Sequence, residues 1–219
     1  LKIDDIKKMS NKLGLGNLTN LELPSEKKGI IPSTKWKKEK IKKDWYAGET
    51  LNACIGQGYL LCTPLQLAYM TSLIANGGKK IKPTLLKVKE SKISKQKEIT
   101  QLEINKNHIN FIKKAMHNVV NESRGTAYRS RSNSSDYIFA GKTGTSQVKK
   151  ISIEERESED FRKKEILWKN RDHALFVGYM PISKPKYSIS VIIEHGGSGS
   201  SAAAPIAKDV FNKIFELGI

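Results

Sequence analysis

Hydrophobic residues are densest between residues 63 and 78, where the pattern predicts one long helix. Thr63 is a suitable N-cap, Pro64 suits the first helical position, and Gln66 follows as in a capping box. Gly77 and Gly78 end the pattern. The apolar residues between cap and stop cover most of the helix circumference, which is typical of a helix buried on most sides: Leu65, Leu67, Ala68, Met70, Leu73, Ile74 and Ala75.

Amphipathic patterns predict three further helices, at residues 1–16, 108–121 and 202–217. Residues 17–44 are polar and rich in lysine, so they are predicted to form a long loop, and residues 52–59 a turn bracketed by glycines. The side chains expected to face inward are Ile3 and Ile6 in the first helix, Ile109, Ile112, Met116, Val119 and Val120 in the second, and Ile206, Val210, Ile214 and Leu217 in the last.

Strand patterns lie mainly in the second half of the chain. Residues 174–180 are apolar on both faces, as in a central strand, whereas residues 187–194 alternate between apolar and polar. The short link between them predicts an antiparallel hairpin. Residues 140–148 form a further candidate strand, and residues 83–88 a short one.

Polar segments separate these elements. Residues 91–107 are interpreted as a polar excursion and residues 149–172 as an insertion between strands, because both consist almost entirely of polar and charged residues. Residues 124–127 are predicted to form a turn into a short helix, and residues 196–201 a flexible connection rich in glycine and serine.

Composition limits the possible partners of the chain. It has 219 residues, enough for one large domain or two small ones, and a formal net charge of +17. Such a charge occurs in nucleic-acid-binding proteins, but the lysines are scattered along the chain. The densest run, Lys35 to Lys43, carries no RNA- or DNA-binding motif. We therefore expect a solvated loop there and no nucleic-acid partner.

The two cysteines and four histidines have no metal-ligand spacing, so neither a metal nor a cofactor is expected. For Cys54 and Cys62 two interpretations stay open, a disulfide or two small buried hydrophobic side chains. No run of about 18 apolar residues occurs, so no membrane span is expected in this chain. Because it begins with Leu1 rather than Met, we expect a piece of a longer protein.

The stretch with the clearest chemistry is Lys142-Thr143-Gly144-Thr145. In a strand, Lys142 and Gly144 point to one face, and Thr143 and Thr145 to the other. Gly144 leaves room for another extended chain against the backbone, and the hydroxyls and ammonium suit a carboxylate. A phosphate-binding P-loop is excluded, because it requires glycine where Asp136 stands. On these residues alone, a glycine-rich turn is the alternative.

Lys-Thr-Gly is also the third signature of penicillin-binding proteins and serine β-lactamases. Further blocks, in order along the chain, resemble the transpeptidase domain of class B penicillin-binding proteins. Each block is weak alone, but their order and spacing make a chance match improbable. The blocks are Ile55–Gly58, Thr63–Ala68, Ala75–Gly78, Arg124–Ala127, Ala140–Thr145, His173–Pro181 and the region from Glu194–Gly197 to Ala203–Ala207.

The resemblance implies a fold and a reaction. The fold is the α+β transpeptidase fold shared with serine β-lactamases, an antiparallel sheet flanked by helices, of which residues 1–219 are expected to carry only the C-terminal part. The reaction is acyl transfer through a serine. The serine attacks the D-Ala–D-Ala bond of a peptidoglycan stem peptide, and the amine of a neighbouring stem completes the cross-link. β-Lactams stall the acyl-enzyme.

The resemblance also implies roles for the four residues. Thr143 and Thr145 hold the terminal carboxylate, and Lys142 supplies positive potential and bonds to the serine of the second motif. The backbone N–H of Thr145 is one oxyanion-hole donor, and the strand at Gly144 binds the substrate chain. The implied partners are stem peptides, β-lactams and the cell-elongation machinery. The implied location is the periplasmic side of the inner membrane, with the anchor outside this chain.

The serine nucleophile is the missing part of the pattern. The family requires a Ser-x-x-Lys motif on a buried helix, and this spacing occurs at Ser25, Ser94 and Ser183 without such a helix pattern. Ser134–Asp136 fits the second motif by its letters only. We interpret all four as chance matches and expect the nucleophile upstream of Leu1. The chain alone is predicted to be inactive, and to aggregate or to need its missing half.

Other functions stay open on the sequence. A serine β-lactamase or a D,D-carboxypeptidase shares the Lys-Thr-Gly strand, although Gly56-Gln57-Gly58 and Glu194–Gly197 favour the class B transpeptidases. A non-catalytic remnant, or a β-lactam sensor that binds without turnover, would carry the same Lys-Thr-Gly strand. A basic nucleic-acid module would instead bind DNA with a steep dependence on salt.

Overall fold

The computed structural model describes residues 1–85, 100–148 and 167–218. The helices in these ranges are α1 (Ile3–Lys12), α2 (Thr34–Ile41), α3 (Ala47–Cys54), α4 (Pro64–Ala75), α5 (Lys106–Asn121) and α6 (Ala204–Glu216). The strands are β1 (Ala140–Ser146), β2 (His173–Met180) and β3 (Tyr187–Ile193). Short helical turns lie at Tyr128–Ser130, Trp168–Asn170 and Gly199–Ala203, the last with π-helical hydrogen bonds.

The chain divides into two compact units, each with its own buried apolar residues. The first unit contains Leu1–Ala115 and Ser183–Ser188, and the second contains Met116–Ile182 and Ile189–Ile219. Buried side chains of the first unit include Ile3, Leu15, Ile31, Leu73, Leu102 and Ile109. Those of the second include Met116, Val120, Phe139, Phe176, Tyr179, Met180 and Phe211.

Helix α4 forms where its capping pattern predicts. The Thr63 hydroxyl accepts a hydrogen bond from the Gln66 N–H, and the Gln66 Oε1 accepts one from the Thr63 N–H, both at 3.2 Å. Gln66 is fully buried, and its Nε2 donates to the carbonyl oxygens of Asn17 (2.7 Å) and Lys28 (2.9 Å). The same side chain therefore caps the helix and holds a loop of the first unit against it.

Helix α2 lies in the segment predicted as a loop, and the last residues of α3 reach into the turn predicted at residues 52–59. Ser33 caps α2 by accepting a hydrogen bond from the Trp36 N–H at 3.0 Å. Lys37, in the lysine-rich run, is only 2% exposed. Its Nζ donates to both Glu49 carboxylate oxygens, at 2.7 and 2.6 Å, and to the Asp44 carbonyl oxygen at 2.7 Å. The predicted loop was wrong, because residues 34–41 form a helix. The other lysines of the run are exposed as predicted, and Lys37 is the exception because its partners lie further along the chain.

The second unit is organised around a sheet of strand order β1-β2-β3. β2 is the middle strand, which confirms the prediction for residues 174–180. β1 runs antiparallel to β2, in a register that pairs Thr143 with Phe176. The fully buried rings of Phe139, Phe176 and Phe211 pack together, with centroids of Phe139 at 6.3 Å from Phe176 and 5.2 Å from Phe211. This aromatic cluster joins the residue before β1 to β2 and α6.

Helix α6 buries a different face from the predicted one. Ala204, Ala207 and Phe211 are fully buried. Of the four residues expected to face inward, Ile206, Val210 and Leu217 are 42%, 39% and 59% exposed, and Ile214 is half-buried. The small alanines let the helix approach the sheet, and Phe211 fills the space beside Phe139. In α5, Ile109, Met116 and Val120 are buried as predicted, but Ile112 is 43% exposed.

The remaining predictions have mixed outcomes. Residues 83–85 form no strand, and residues 86–88 of that predicted strand lie outside the described residues, as do 91–99 and 149–166 of the two polar segments. The predicted flexible connection at residues 196–201 is partly wrong, because the π-helical turn begins at Gly199. Both cysteines are free, Cys54 exposed and Cys62 half-buried. Burial raises the pKa of Cys62 to about 11.

Candidate active site on the edge strand

Strand β1 lies at one edge of the sheet. In the part of the chain that the structure describes, its only strand partner is β2. Lys142 and Thr145 are exposed, and Thr143 and Gly144 are half-buried. The four predicted site residues therefore lie together on an accessible strand, rather than in the middle of a sheet.

The first residues of β1 are fixed by the aromatic cluster. Ala140 and Gly141 are buried, and a Cβ atom at Gly141 would overlap the Phe176 ring. Only glycine leaves room for this ring, so Phe176 covers the start of the strand. The strand then leaves the core at Lys142, where its exposed part begins.

Gly144 is covered on one side by Gly199, from the turn before α6. A Cβ atom at residue 199 would overlap the carbonyl oxygens of Leu175 and Gly144 and lie 3.0 Å from the Gly144 nitrogen. A Cβ atom at residue 144, in contrast, would meet the Leu175 Cβ at 3.4 Å, an ordinary van der Waals contact. Gly199 therefore covers the backbone of Gly144, which the sequence did not predict, whereas the space of the missing Gly144 side chain has only the Leu175 Cβ within 4 Å.

The Lys142 ammonium lies beside the strand edge. Its Nζ donates a hydrogen bond to the Thr143 carbonyl oxygen at 2.6 Å. An exposed ammonium reaches a strand carbonyl most readily when that carbonyl points to the unpaired edge. Backbone groups alternate in direction along a strand, so the N–H and C=O of Thr145 share the direction of those of Thr143.

Thr126 contacts the site from outside the predicted set. Its Oγ1 lies 2.9 Å from the Thr143 Oγ1, and either hydroxyl can donate this hydrogen bond. The sequence predicted only a turn at residues 124–127. The resemblance block Arg124–Ala127 was the available signal, but it carried no chemical role for the threonine.

The end of helix α5 positions both Thr126 and β1. A Cβ atom at Gly125 would lie 2.5 Å from the Asn118 carbonyl oxygen, so only glycine fits between the turn and the helix end. The Ala127 N–H donates to the Val119 carbonyl oxygen at 3.0 Å. Asn121 donates through Nδ2 to the Phe139 carbonyl oxygen, also at 3.0 Å, just before β1 begins. The turn and the strand therefore share one anchor.

A cleft of about 700 Å³ lies beside Thr126. Hydroxyl groups and charges of both signs line it, among them those of Thr126, Arg129, Ser200, Ser201, Lys208 and Asp209. Of the four predicted site residues, none lines this cleft. Thr126 is therefore the residue that lies both at this cleft and against Thr143.

The serines with Ser-x-x-Lys spacing do not open helices where they are described. Ser146, which has this spacing with Lys149 but was not among the predicted candidates, is the last residue of β1. Ser25 is exposed in a loop with φ 64°, and Ser183 is exposed in the link between β2 and β3. Ser94 lies outside the described residues. Ser134 lies in a loop, where its hydroxyl accepts a hydrogen bond from the Asp136 N–H at 3.1 Å.

The Glu194–Gly197 block closes the end of the sheet next to β1. His195 adopts a left-handed conformation with φ 55°, and its N–H donates to the His173 Nδ1 at 2.9 Å. His173 is paired with Ser146, the last residue of β1. The His195 ring also packs on Trp168, with ring centroids 4.5 Å apart. These contacts give the block a structural role that sequence analysis did not assign.

Within residues 1–85, 100–148 and 167–218, no group of three or more His, Cys, Asp and Glu side chains could hold a metal ion. No helix of this described part is both long and apolar enough to cross a bilayer.

The chain is similar to known proteins over nearly its whole length. The profile of the penicillin binding protein transpeptidase domain matches residues 1–212. The peptidoglycan D,D-transpeptidases MrdA of Haemophilus influenzae and of Escherichia coli K12 are 36% identical over 215 residues and 31% identical over 203 residues. These alignments cover 96% and 90% of this chain, but 32% and 31% of the relatives. The chain thus spans about a third of their length.

Solved structures show the same similarity. The penicillin-binding protein (PBP2) in complex with MreC from Helicobacter pylori has a TM-score of 0.81 and 34% identity, covering 100% of this chain and 37% of that chain. Pseudomonas aeruginosa PBP2 in complex with WCK 5153 has a TM-score of 0.80 and 35% identity, covering 97% and 44%. The predicted α+β transpeptidase fold with an antiparallel sheet is confirmed.

Proposed function

Because the chain belongs to the penicillin-binding protein transpeptidase family, with relatives in its penicillin-binding protein 2 branch, we propose that the full-length protein is a peptidoglycan D,D-transpeptidase of cell elongation. It transfers the acyl group of a stem peptide from D-Ala to a serine and then to the amine of a second stem. β-Lactams react at the same serine and inhibit it.

One observation supports this function most strongly: Lys142, Thr143 and Thr145 lie together on the accessible edge strand β1. A carboxylate only accepts hydrogen bonds, and the two hydroxyls and the ammonium are donors. In our proposal, Thr143 and Thr145 bind the terminal carboxylate of the stem peptide, and Lys142 adds positive potential. Hydrogen bonds to a charged group contribute about 1.5–3 kcal/mol each.

The backbone of Thr145 has a separate role in this proposal. Its N–H is one of the two oxyanion-hole donors and stabilises the negative charge that develops on the attacked carbonyl oxygen. The hydrogen bond from Lys142 to the Thr143 carbonyl supports this assignment. It favours an arrangement in which the N–H and C=O groups of Thr143 and Thr145 both point to the open edge of the sheet. Loss of one such donor costs about 10²–10³ in rate.

The substrate is proposed to bind as an added strand along β1. The carbonyl of Thr145 pairs with the substrate backbone, and Gly144 leaves space for it. Because β1 has β2 as its only described strand partner, its outer edge provides the unpaired backbone groups that such binding requires.

The nucleophile is proposed to come from a Ser-x-x-Lys segment outside these 219 residues. The exposed loop positions of Ser25 and Ser183 support this, because a catalytic serine needs a lysine held beside it on a buried helix. By similarity to the PBP2–MreC complex, the partners are proposed to include the cell-elongation machinery, with the catalytic domain on the periplasmic side of the inner membrane.

Labelling with a fluorescent penicillin tests this function. The full-length protein should form a covalent adduct that unlabelled benzylpenicillin prevents, and the 219-residue chain alone should form none. An adduct on the chain alone would show that a serine within it is the nucleophile. A full-length protein that binds penicillin but does not cross-link stem peptides would instead be a sensor.

A further inference from the structure

Thr126 and Thr143 form a hydroxyl pair at the carboxylate-binding part of the site. Their Oγ1 atoms are 2.9 Å apart, and both residues are accessible to solvent. The position of Thr126 is set by the close contact of Gly125 with the end of α5, and by the Ala127 N–H bonded to Val119 at 3.0 Å. Asn121 at the same helix end holds the Phe139 carbonyl just before β1, so the backbone segments of both threonines are anchored at the end of α5 without the hydroxyl contact.

The number of protons in this pair determines which hydroxyl donates the hydrogen bond between Thr126 and Thr143 when substrate binds. Each hydroxyl has one proton to donate and two lone pairs to accept. A carboxylate can only accept, so Thr143 must point its single proton at it in order to bind it. Thr143 then has no proton left for Thr126, and the contact persists only if Thr126 donates to Thr143.

We propose that Thr126 is a positioning residue for carboxylate recognition, donating its proton to the Thr143 hydroxyl so that the Thr143 proton points at the substrate carboxylate. This inference rests on the proposed function, because it assumes that Thr143 binds the carboxylate. The resulting chain of hydrogen bonds runs from Thr126 through Thr143 to the anion. Each bond in such a chain polarises the next, which strengthens the bond to the carboxylate.

The contact contributes little to the stability of the fold. Both hydroxyls are accessible, so water replaces the hydrogen bond when one of them is removed. The aromatic cluster of Phe139, Phe176 and Phe211 and the anchors at the end of α5 hold the two segments without it. Removing the Thr126 hydroxyl should therefore change recognition of the anion while the folded protein persists.

The test compares benzylpenicillin with its methyl ester, which lacks the negative charge. Second-order acylation rate constants of the full-length protein are measured for both probes, and the ratio of acid to ester is the readout. Thr126→Val should lower this ratio about fivefold, as expected for the loss of one neutral hydrogen bond. Thr126→Ser keeps the hydroxyl and should have the acid-to-ester ratio of the natural protein. Ser201→Ala, across the cleft, is the matched control and should leave the ratio unchanged.

Two further variants distinguish a failure of the Thr126 inference from a failure of the proposed function. Thr143→Val and Thr145→Val should each lower the ratio about tenfold or more, since they remove a donor to the charged carboxylate. If they do not, the proposed carboxylate site is wrong. If they do and Thr126→Val leaves the ratio unchanged, only the role of Thr126 is wrong. An equal loss for acid and ester in Thr126→Val would indicate a structural effect and would also overturn the proposal.

Discussion

Gly199 lies directly against the backbone of Gly144, so the turn before α6 supports the strand that carries the candidate site. A Cβ atom at residue 199 would overlap the Gly144 carbonyl oxygen and lie 3.0 Å from its nitrogen. The backbone at this point cannot move without disturbing either the turn or the strand. A substitution at residue 199 should therefore displace β1 without changing any residue of the strand.

We expect Gly199→Ala to lower both stability and β-lactam acylation of the full-length protein. The added methyl group overlaps backbone atoms rather than flexible side chains, and such overpacking costs about 1–3 kcal/mol. Gly48→Ala is the control: nothing lies within 4 Å of its added Cβ, and alanine favours a helix over glycine by about 0.5–1 kcal/mol. Thermal unfolding and acylation rates of both variants test this. Normal acylation in a folded Gly199→Ala variant would contradict it.

Gly144→Ala should separate folding from substrate binding. The added Cβ would lie 3.4 Å from the Leu175 Cβ, so the protein should fold with an unchanged melting temperature. The methyl group reduces the space for a substrate chain along β1. Acylation by benzylpenicillin should fall about 10- to 100-fold, the effect of misplacing reacting groups by about 1 Å. Unchanged acylation would show that no ligand approaches the strand at this position.

The buried pair of Lys37 and Glu49 should be essential for α2 and α3. Lys37 is 2% exposed, so Glu49→Gln leaves a buried ammonium without a counter-charge and should cost about 3 kcal/mol. The double variant Lys37→Met with Glu49→Leu should lie within about 1 kcal/mol of the natural protein, because no charge is left unpaired. Urea unfolding of the full-length protein measures both. Glu39→Gln, in the exposed pair with Lys35, should change stability by less than about 0.5 kcal/mol.

The same pair predicts how stability depends on pH. Burial raises the pKa of Glu49, but the Lys37 ammonium and the Tyr46 N–H outweigh this and leave the pKa below its ordinary value. A lowered pKa in the folded state stabilises the protein above the unfolded value of about 4.3, and this contribution is lost as the pH falls through the folded value. The difference in unfolding free energy between the natural protein and Glu49→Gln should therefore shrink below about pH 4. A constant difference would contradict this.

The sequence predicted elements whose determinants are local. Helix α4 follows from Thr63, Pro64 and Gln66 at its start and from a continuous apolar run, and all of these are neighbours in the chain. The strands β2 and β3 follow in the same way from an apolar stretch and from alternation. The middle place of β2 in the sheet could be predicted because a strand that is apolar on both faces belongs there.

The errors arose where distant residues decide the structure. Helix α2 contains Lys37, whose burial depends on Glu49, and composition alone indicates a solvated lysine. The buried face of α6 depends on the fit of Phe211 beside Phe139, so the larger Ile206 and Val210 face outward. Thr126 could not be recognised as part of the site because only the fold brings it to Thr143.

A crystal structure of the full-length protein acylated by benzylpenicillin would show whether the edge strand β1 binds the substrate carboxylate and the oxyanion. We expect the carboxylate within hydrogen-bond distance of both the Thr143 and Thr145 hydroxyls. We also expect the acyl carbonyl oxygen about 2.7–3.1 Å from the Thr145 backbone nitrogen. An acyl-enzyme whose carboxylate contacts neither threonine, or whose carbonyl oxygen points away from Thr145, would show that β1 does not have this role.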